Sequence, residues 1–311
     1  MKEVSIETKS SLLNSSWLWV IGACILSILL ALLPPDNIFW YKSAFLVYGL
    51  TTILYLSTAI LREKFLQKIS TISFLFALTL NLTAMIKRSI ESYQLGIFHP
   101  PWSNLFEALT FWSFIGGAFY LFLERKYGVR ILGIFVLPAI LGIYAFALFK
   151  ANKDLTPLMP ALRSYWLYFH VITAFFGYAG FTVAFGAAVG YLLKANFKNN
   201  RVIQKILPSE NILDEITYKA IAISFPVWTA SIILGAAWAN EAWGGYWSWD
   251  PKEVWSLIVW LFFGAYLHAR QLMGWRGNRV AWLAVFGFIT VLICFFAINL
   301  YFPGLHSYAG E

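Results

Sequence analysis

Charged residues and cysteine are both scarce in this chain. Only 12% of its 311 residues are charged, whereas 60% are hydrophobic, and the charged share is about half that of an average soluble domain. The two cysteines, Cys24 and Cys294, fall inside apolar runs, so they provide neither a disulfide framework nor a thiol redox motif. No basic stripe with interleaved aromatic residues accompanies the net charge of +8. We therefore expect no nucleic acid partner.

Long apolar runs dominate instead. Runs of about 20 residues, enough to cross a hydrocarbon layer of about 30 Å, recur along the whole chain. They predict an all-α polytopic integral membrane protein, with a single transmembrane domain over residues 1–311 and about nine (eight or nine) spans. The first run ends at Pro34-Pro35 without a small-residue cleavage pattern, which favours a helix over a signal peptide. The predicted spans are 17–33, 39–61, 69–86, 105–123, 131–149, 165–193, 220–239, 252–273 and 280–301.

The distribution of basic residues predicts the orientation. With a cytoplasmic N-terminus, sixteen of the 23 Lys and Arg residues fall in cytoplasmic segments, where positive charge is normally enriched. The C-terminus and residues 240–253 are then external, which means periplasmic in a bacterial cytoplasmic membrane or lumenal in a thylakoid. Segment 194–219 is expected to be a solvated basic loop facing the cytoplasm. The cytoplasmic segments are 1–16, 62–68, 124–130, 194–219 and 270–279.

The predicted external loop 240–253 lies in a stretch with an excess of tryptophan. Five tryptophans occur from Trp238 to Trp255, more than an aromatic belt at a membrane surface explains. Gly244 and Gly245 remove side chains between two of them, which allows a flat ligand to approach the backbone. Indole rings stack on π-systems, so a planar apolar macrocycle fits this pattern. The alternative is a rigid aromatic plug that packs only on itself.

The end of this loop predicts the start of a helix. Asp250 stands at the N-cap, proline occupies the first helical position, and Glu253 lies three residues after the cap, which is the pattern of a capping box. The positive end of this helix, with Lys252, is expected to point into the loop. It favours the carboxylates of a bound ligand.

Three of the four histidines are candidates for a binding site. His170 lies about six residues into a span, roughly 9 Å below the external edge, whereas His268 lies about 17 residues past Pro251, roughly 26 Å deep. His306 follows the last span on the external side. Two axial imidazoles on one iron stand about 4 Å apart, twice a metal–nitrogen bond of about 2 Å. By their depth we expect His170 and His306 to be able to meet that condition, while His268 is too deep to join them and requires a second site.

Each histidine also has a purely structural explanation. An ionisable residue inside a span is a functional hypothesis by default, yet a lone histidine hydrogen-bonded within a helix bundle is common. That alternative stays open for His170, His268 and His306. His99 precedes two prolines in an external loop, which is more typical of a loop residue, and we assign it no role.

The tryptophan-rich segment also matches a known pattern. The WWD signature of haem-handling proteins in cytochrome c maturation resembles the run Trp243-Gly-Gly-Tyr-Trp247-Ser-Trp249-Asp250-Pro-Lys-Glu253-Val-Trp255. The CcsA family of the System II pathway is similar to this chain in two further runs, Ser103-Asn-Leu-Phe-Glu107 and Gly304-Leu-His306-Ser-Tyr308. The resemblance covers most of the chain.

The resemblance implies a haem b site and names its residues. In that family two external histidines flank the WWD loop and ligate haem, and these match His170 and His306. A third histidine, matching His268, serves a second haem position within the membrane. The other expected cofactor-binding residues are Trp243, Trp247, Trp249, Asp250 and Trp255.

The resemblance also implies partners. The ligand opposite His268 belongs to a CcsB (ResB-like) membrane subunit in that family, and this chain resembles the separate-subunit form, which needs that partner. Apocytochrome c is the expected recipient of haem. A thiol-reducing, thioredoxin-like protein is a further expected partner.

Several functions remain in competition at this point. The first is a cytochrome c biogenesis protein that moves or presents haem for covalent attachment, as one component of a haem lyase or synthase complex. No acid or base residue stands out, so no catalytic residue is assigned and its status as an enzyme stays open. The second is a haem-carrying subunit that oxidises quinol. Further alternatives are a transporter for another solute and a zinc site built from His170, His306 and Asp250.

Overall fold

The computed structural model describes residues 7–97, 99–158 and 163–302, with side chains from residue 18 onwards. All regular structure within these ranges is helical, which confirms the predicted all-α class. A 3-10 turn (Arg130–Leu132) leads into α5, and a π-helical turn (Ile293–Ala297) joins α10 to α11. The α-helices are α1 Glu7–Ala31, α2 Asn37–Leu61, α3 Lys64–Gln94, α4 Leu105–Tyr127, α5 Gly133–Lys150, α6 Trp166–Asn196, α7 Arg201–Ile206, α8 Glu210–Trp243, α9 Pro251–Gln271, α10 Asn278–Leu292 and α11 Ile298–Tyr301.

Local sequence signals explain where several helices begin and end. The side chains of Asp36, Asn104 and Ser209 accept backbone N–H bonds at the starts of α2, α4 and α8. They satisfy donors that a helix start otherwise leaves without partners. Gly128 and Gly244 end α4 and α8 in the left-handed conformation, which glycine adopts without steric cost.

Two predicted loops are shorter than expected. The prediction of a solvated loop over 194–219 is wrong, because the end of α6, all of α7 and the first turns of α8 occupy most of it. The predicted loop 240–253 is helical at its start, so that only residues 244–250 separate α8 from α9. Hydropathy underestimates helix length here because backbone hydrogen bonding continues through polar residues that are good helix formers.

Every predicted span coincides with a helix, and several helices extend beyond the apolar window. Among the helices of the described ranges, seven are long and apolar enough, by length and composition, to cross a membrane. The described apolar part of α1 (Leu18–Ala31) is shorter, and α9 is not among the seven. The exact number of crossings stays a prediction.

α6 runs through the middle of the bundle and packs against α4, α5, α8 and α10. A Cβ on Gly180 would overlap the hydroxyl of Ser224 on α8, so the two backbones approach closely. Small residues at helix contacts allow this approach within membrane bundles. Aromatic rings fill the space beside the contact, where Phe181 and Phe263 stack with their centroids 3.7 Å apart.

A buried ion pair joins α3 to α4 at one end of the bundle. Arg88 Nε lies 2.5 Å from Glu107 Oε1, and both side chains are almost fully buried. The second carboxylate oxygen of Glu107 accepts bonds from the backbone N–H and hydroxyl of Ser103 at 2.8 and 2.7 Å. The Arg88 guanidinium also donates to the carbonyls of Lys153 and Asp154. The segments before α4 and after α5 are therefore tied to the same end of the bundle.

A second set of polar contacts holds the opposite end. Arg270 at the end of α9 donates through both terminal nitrogens to the carboxylate of Asp214 near the start of α8. Glu124 at the end of α4 lies 3.3 Å from Arg130 Nε and accepts a bond from Tyr55. Each end of the bundle thus has its own charged cluster, and the apolar core lies between them.

We expect Glu107→Leu to destabilise the protein by about 3–5 kcal/mol, because it leaves the buried Arg88 guanidinium without its carboxylate. Thermal unfolding in detergent, followed by circular dichroism, measures the change. The double variant Arg88→Met/Glu107→Leu should recover part of the loss. Glu215→Gln is the control, since it removes an exposed pair with Lys219 and should leave the transition near that of the wild type. If Glu107→Leu and Glu215→Gln lowered the unfolding temperature equally, the buried pair would not be important for stability.

Candidate functional site

A cavity of about 410 Å³ lies between α6 and α8, at the end of the bundle where α8 gives way to α9. This volume is within the range of about 300–1,000 Å³ that ligand pockets occupy. Its walls come from α6, α8, the starts of α4 and α9, the π-helical turn with α11, and the segments before α4 and after α5. Aromatic residues dominate the lining and include Trp102, Phe175, Tyr178, Trp228, Trp238, Trp243, Tyr246, Trp247 and Phe295.

Among the described residues that line the cavity, His170 is the one histidine. Its Nδ1 lies 2.9 Å from the carbonyl oxygen of Ser231 on α8. A carbonyl oxygen only accepts, so Nδ1 carries a proton, and in the neutral imidazole Nε2 is then the nitrogen with the lone pair. Metal-ligating histidines are oriented by a hydrogen bond of this kind from the other ring nitrogen. His170 therefore has the tautomer and the support that an iron ligand needs.

The His170 ring packs directly on the α8 backbone at Gly235. A Cβ at this position would lie 2.9 Å from both Nδ1 and Cε1 of the imidazole, closer than side chains pack. Ser231 and Gly235 stand one turn apart on the same face of α8. The Ser231 carbonyl that accepts the hydrogen bond and the Gly235 backbone on which the ring packs thus lie on the same face of α8. Sequence reasoning missed both residues, because only the packing of α6 on α8 shows what His170 meets.

The tryptophan-rich segment, Trp238 to Trp255, contributes four rings to the cavity and leaves two tryptophans outside it. Trp238, Trp243, Tyr246 and Trp247 line the cavity. Trp249 does not, and its side chain is 73% exposed. Its φ is 60°, in the left-handed region that bulky side chains rarely adopt. Backbone strain of this kind is found mainly at functional positions, where the surrounding structure maintains it.

The predicted capping box at the start of α9 is confirmed. Asp250 accepts a bond from the backbone N–H of Lys252 at 2.9 Å, and Glu253 accepts bonds from the backbone N–H groups of Asp250 and Ser248. The two carboxylates therefore fix the turn that carries the tryptophans. Asp250 and Trp255 are not part of the cavity lining, and Asp250 caps the turn that carries the lining tryptophans.

The other predicted histidines do not meet His170 within the described ranges. His268 is exposed on the last turn of α9, away from the cavity lining. His306 lies outside the described residues. His99, to which the sequence assigned no role, is buried, and its Nδ1 lies 2.9 Å from the Ser103 hydroxyl in the cluster around Glu107.

Two polar residues left out of the predicted site also line the cavity. Lys252 Nζ donates to Asn299 Oδ1 at 2.9 Å, and both residues belong to the lining. Lys252 was visible in the helix-start motif, and Asn299 is a polar residue within a predicted span. Neither signal shows that the two side chains meet, because Lys252 and Asn299 are 47 residues apart in the sequence.

The cavity offers one ring nitrogen rather than a set of metal ligands. No group of three His, Cys, Asp or Glu residues in the part of the chain that the structure describes is arranged to hold a metal ion. The zinc alternative needs His306 and stays a prediction. One imidazole within aromatic walls suits a flat, largely apolar ligand that carries its own metal.

Comparison with known proteins identifies the family. The family described as Cytochrome C assembly protein matches residues 102–306. A cytochrome c biogenesis protein CcsA from Mesostigma viride is 34% identical over 298 residues, which cover 86% of this chain and 95% of the relative. The chain belongs to the CcsA family. This CcsA-family chain is therefore a multi-pass membrane protein of cytochrome c biogenesis.

A cyanobacterial relative and a solved structure agree with this assignment. CcsA from Synechococcus elongatus is 39% identical over 255 residues, covering 67% of this chain and 78% of the relative. The structure of cytochrome c haem lyase CcmF is similar with a TM-score of 0.61 over 84% of this chain, at 20% identity. The CcsA-family chain spans about half of that protein, 47% of its length. At this identity the likeness shows a shared fold.

Gly235→Ala should lower cytochrome c assembly roughly tenfold or more, because the added Cβ displaces the His170 ring from the Ser231 carbonyl. The yield of covalent haem in a host that lacks its own CcsA protein measures this effect. Gly142→Ala is the matched control, since a Cβ on that glycine of α5 meets no atom within 4 Å. Equal yields from the two variants, at equal protein levels, would show that the close approach at Gly235 is unimportant.

Proposed function

We propose that this CcsA-family chain binds haem b in the cavity between α6 and α8, with His170 Nε2 as an iron ligand. The observation that carries the proposal is the hydrogen bond from His170 Nδ1 to the Ser231 carbonyl at 2.9 Å. It directs the remaining ring nitrogen to ligation inside an aromatic pocket. Haem is a flat, largely apolar ring, and indole and phenol rings are suitable surfaces for it.

The family resemblance supplies the rest of the proposed ligand set. His306 is the second axial ligand to the haem held by His170. Trp243 and Trp247 form part of the wall against which the ring lies, since both line the cavity. Asp250 holds the turn between them and α9 through its cap.

A second haem position at His268 belongs to the same proposal. The imidazole of His268 is exposed on α9, so the ligand for the opposite haem face comes from another chain. We assign this ligand to a CcsB (ResB-like) membrane subunit. Haem then moves from the cytoplasmic half of the complex to the cavity, which the distribution of basic residues favours as the external side.

Haem in the cavity is presented to apocytochrome c as the substrate. The thiols of a Cys-x-x-Cys-His segment add across the two haem vinyl groups. In each addition an S–H and a C=C π bond break, and one C–S and one C–H bond form, without a net change of oxidation state. A thioredoxin-like protein keeps those thiols reduced. The chain itself binds and orients haem, as proteins generally do for cofactor chemistry, within a haem lyase or synthase complex.

The variant His170→Gly tests the ligand assignment. We expect it to lose the haem spectrum of the purified protein and the covalent cytochrome c yield. Added imidazole should restore the spectrum, because the cavity has room for the free ring where the side chain was removed. Absorbance spectra of the variant with and without imidazole measure both effects.

Phe169→Gly is the control for this variant. It places the same helix-weakening glycine one residue away in α6, at a side chain that is 57% exposed, and should keep its haem. Normal haem content and cytochrome c yield in both His170→Gly and His306→Ala would exclude the proposed function. Loss of haem in Phe169→Gly as well would attribute the effect to a weakened helix.

The variant Trp249→Gly tests whether Trp249 contributes to haem binding independently of protein stability. Glycine adopts a φ of 60° without strain, so we expect stability to be unchanged or to rise by up to about 1 kcal/mol, while haem binding and cytochrome c yield fall. The control is Arg62→Gly, at the other non-glycine residue with positive φ in the described ranges. That variant should leave haem binding intact. Haem binding by Trp249→Gly at the wild-type level would remove Trp249 from the proposed site.

A further inference from the structure

The cavity contains a lysine whose direct hydrogen-bond partners are neutral. Lys252 Nζ donates to the carbonyl oxygen of Cys294 in the π-helical turn and to Asn299 Oδ1, each at 2.9 Å. The Phe295 ring lies below the ammonium group, with its centroid 5.1 Å away. These contacts hold the positive charge at a fixed position in the cavity wall.

No carboxylate of the described residues forms an ion pair with this ammonium group, and Asp250 acts on it from beyond ion-pair distance. Lys252 is the one Lys or Arg in the described cavity lining, and it forms no ion pair within 4 Å in the described part of the chain. Glu253, the one acidic residue of that lining, accepts bonds from Ser248 and from the Asp250 backbone instead. Lys252 is partly buried, and a cation partly withdrawn from water without a paired carboxylate is costly. An anionic group on the ligand removes that cost.

We propose that Lys252 and Asn299 form an anion subsite that binds one carboxylate of the ligand. The inference rests on the proposed function, in which the carboxylate is a haem propionate. Lys252 supplies the charge. The amide oxygen of Asn299 accepts a hydrogen bond from the ammonium group, and its NH2 group is a donor for the carboxylate of the ligand. Binding one propionate at this wall fixes how the haem ring is rotated in the cavity, and therefore where its vinyl groups lie.

The π-helical turn explains why the subsite is located here. Single π-turns inside helices occur frequently at functional sites, and this one, Ile293–Ala297, carries both Cys294 and Phe295. Lys252 comes from the first turn of α9. The subsite thus lies where the capping box that holds the tryptophan turn meets the end of the last long helix.

A comparison of two porphyrins tests the subsite. The full chain, purified in detergent and freed of haem, is titrated with iron protoporphyrin IX and with its dimethyl ester, and binding is followed by the Soret band. Both compounds offer the same ring and iron, and only the first has carboxylates. Because a charge-assisted hydrogen bond is lost with the ester, the wild type should bind the diacid roughly tenfold to a hundredfold more tightly.

Substitutions assign this preference to Lys252. Lys252→Met should bind the diacid as weakly as the ester and leave the affinity for the ester unchanged, whereas Lys252→Arg should keep part of the preference. The matched control is Lys87→Met, because Lys87 Nζ also donates to a backbone carbonyl, that of Leu33 at 3.0 Å, but does not line the cavity. It should keep the full preference.

The outcomes distinguish this inference from the proposed function. If the wild type binds both porphyrins with equal affinity, or if Lys252→Met keeps the preference for the diacid, the subsite is wrong while haem binding stands. Equal loss of affinity for both porphyrins in Lys252→Met would make Lys252 a structural link between α9 and the π-helical turn, and would also overturn the subsite. If the wild type binds neither compound, the proposed function fails and the subsite fails with it.

Discussion

The close contact between α6 and α8 is the constraint on which the site depends. His170 on α6 reaches the Ser231 carbonyl only because Gly235, one turn further along α8, has no side chain to exclude the ring. The same two helices also approach closely at Gly180 and Ser224, deeper in the bundle. Because the backbones are held this near to each other, one hydrogen bond sets both the tautomer and the direction of the imidazole.

Two sets of polar contacts hold the remaining walls of the cavity beside α6 and α8. The Arg88–Glu107 pair ties down the segments that carry Trp102 and Asn104, which line the cavity beside α6. The capping box at Asp250 fixes the opposite wall, where α9 begins. In the Arg88–Glu107 pair and in the capping box, charged side chains form hydrogen bonds within the protein. These bonds hold irregular backbone in place where helical hydrogen bonds are missing. Rigid elements of this kind are what a binding site requires.

The described lining of the cavity combines a few polar groups with many aromatic rings. Among its described residues are one imidazole, that of His170, and one ammonium group, that of Lys252. We proposed for this lining a ligand with an apolar face, a metal centre and acidic edges. The exposed Trp249 and His268 lie outside this lining.

The sequence by itself determined the helical class, the membrane character, the family and the cap at Asp250. Each of these depends on composition, on a run of apolar residues or on a motif within a few residues of itself, so the information is local. It did not determine that α8 begins at Glu210, because a helix continues through polar residues that hydropathy ignores. Only the tertiary structure decided that His170 meets Gly235 and that Lys252 meets Asn299. Those pairs are 65 and 47 residues apart in the chain, and long-range contacts follow from how whole helices pack, which no single segment encodes.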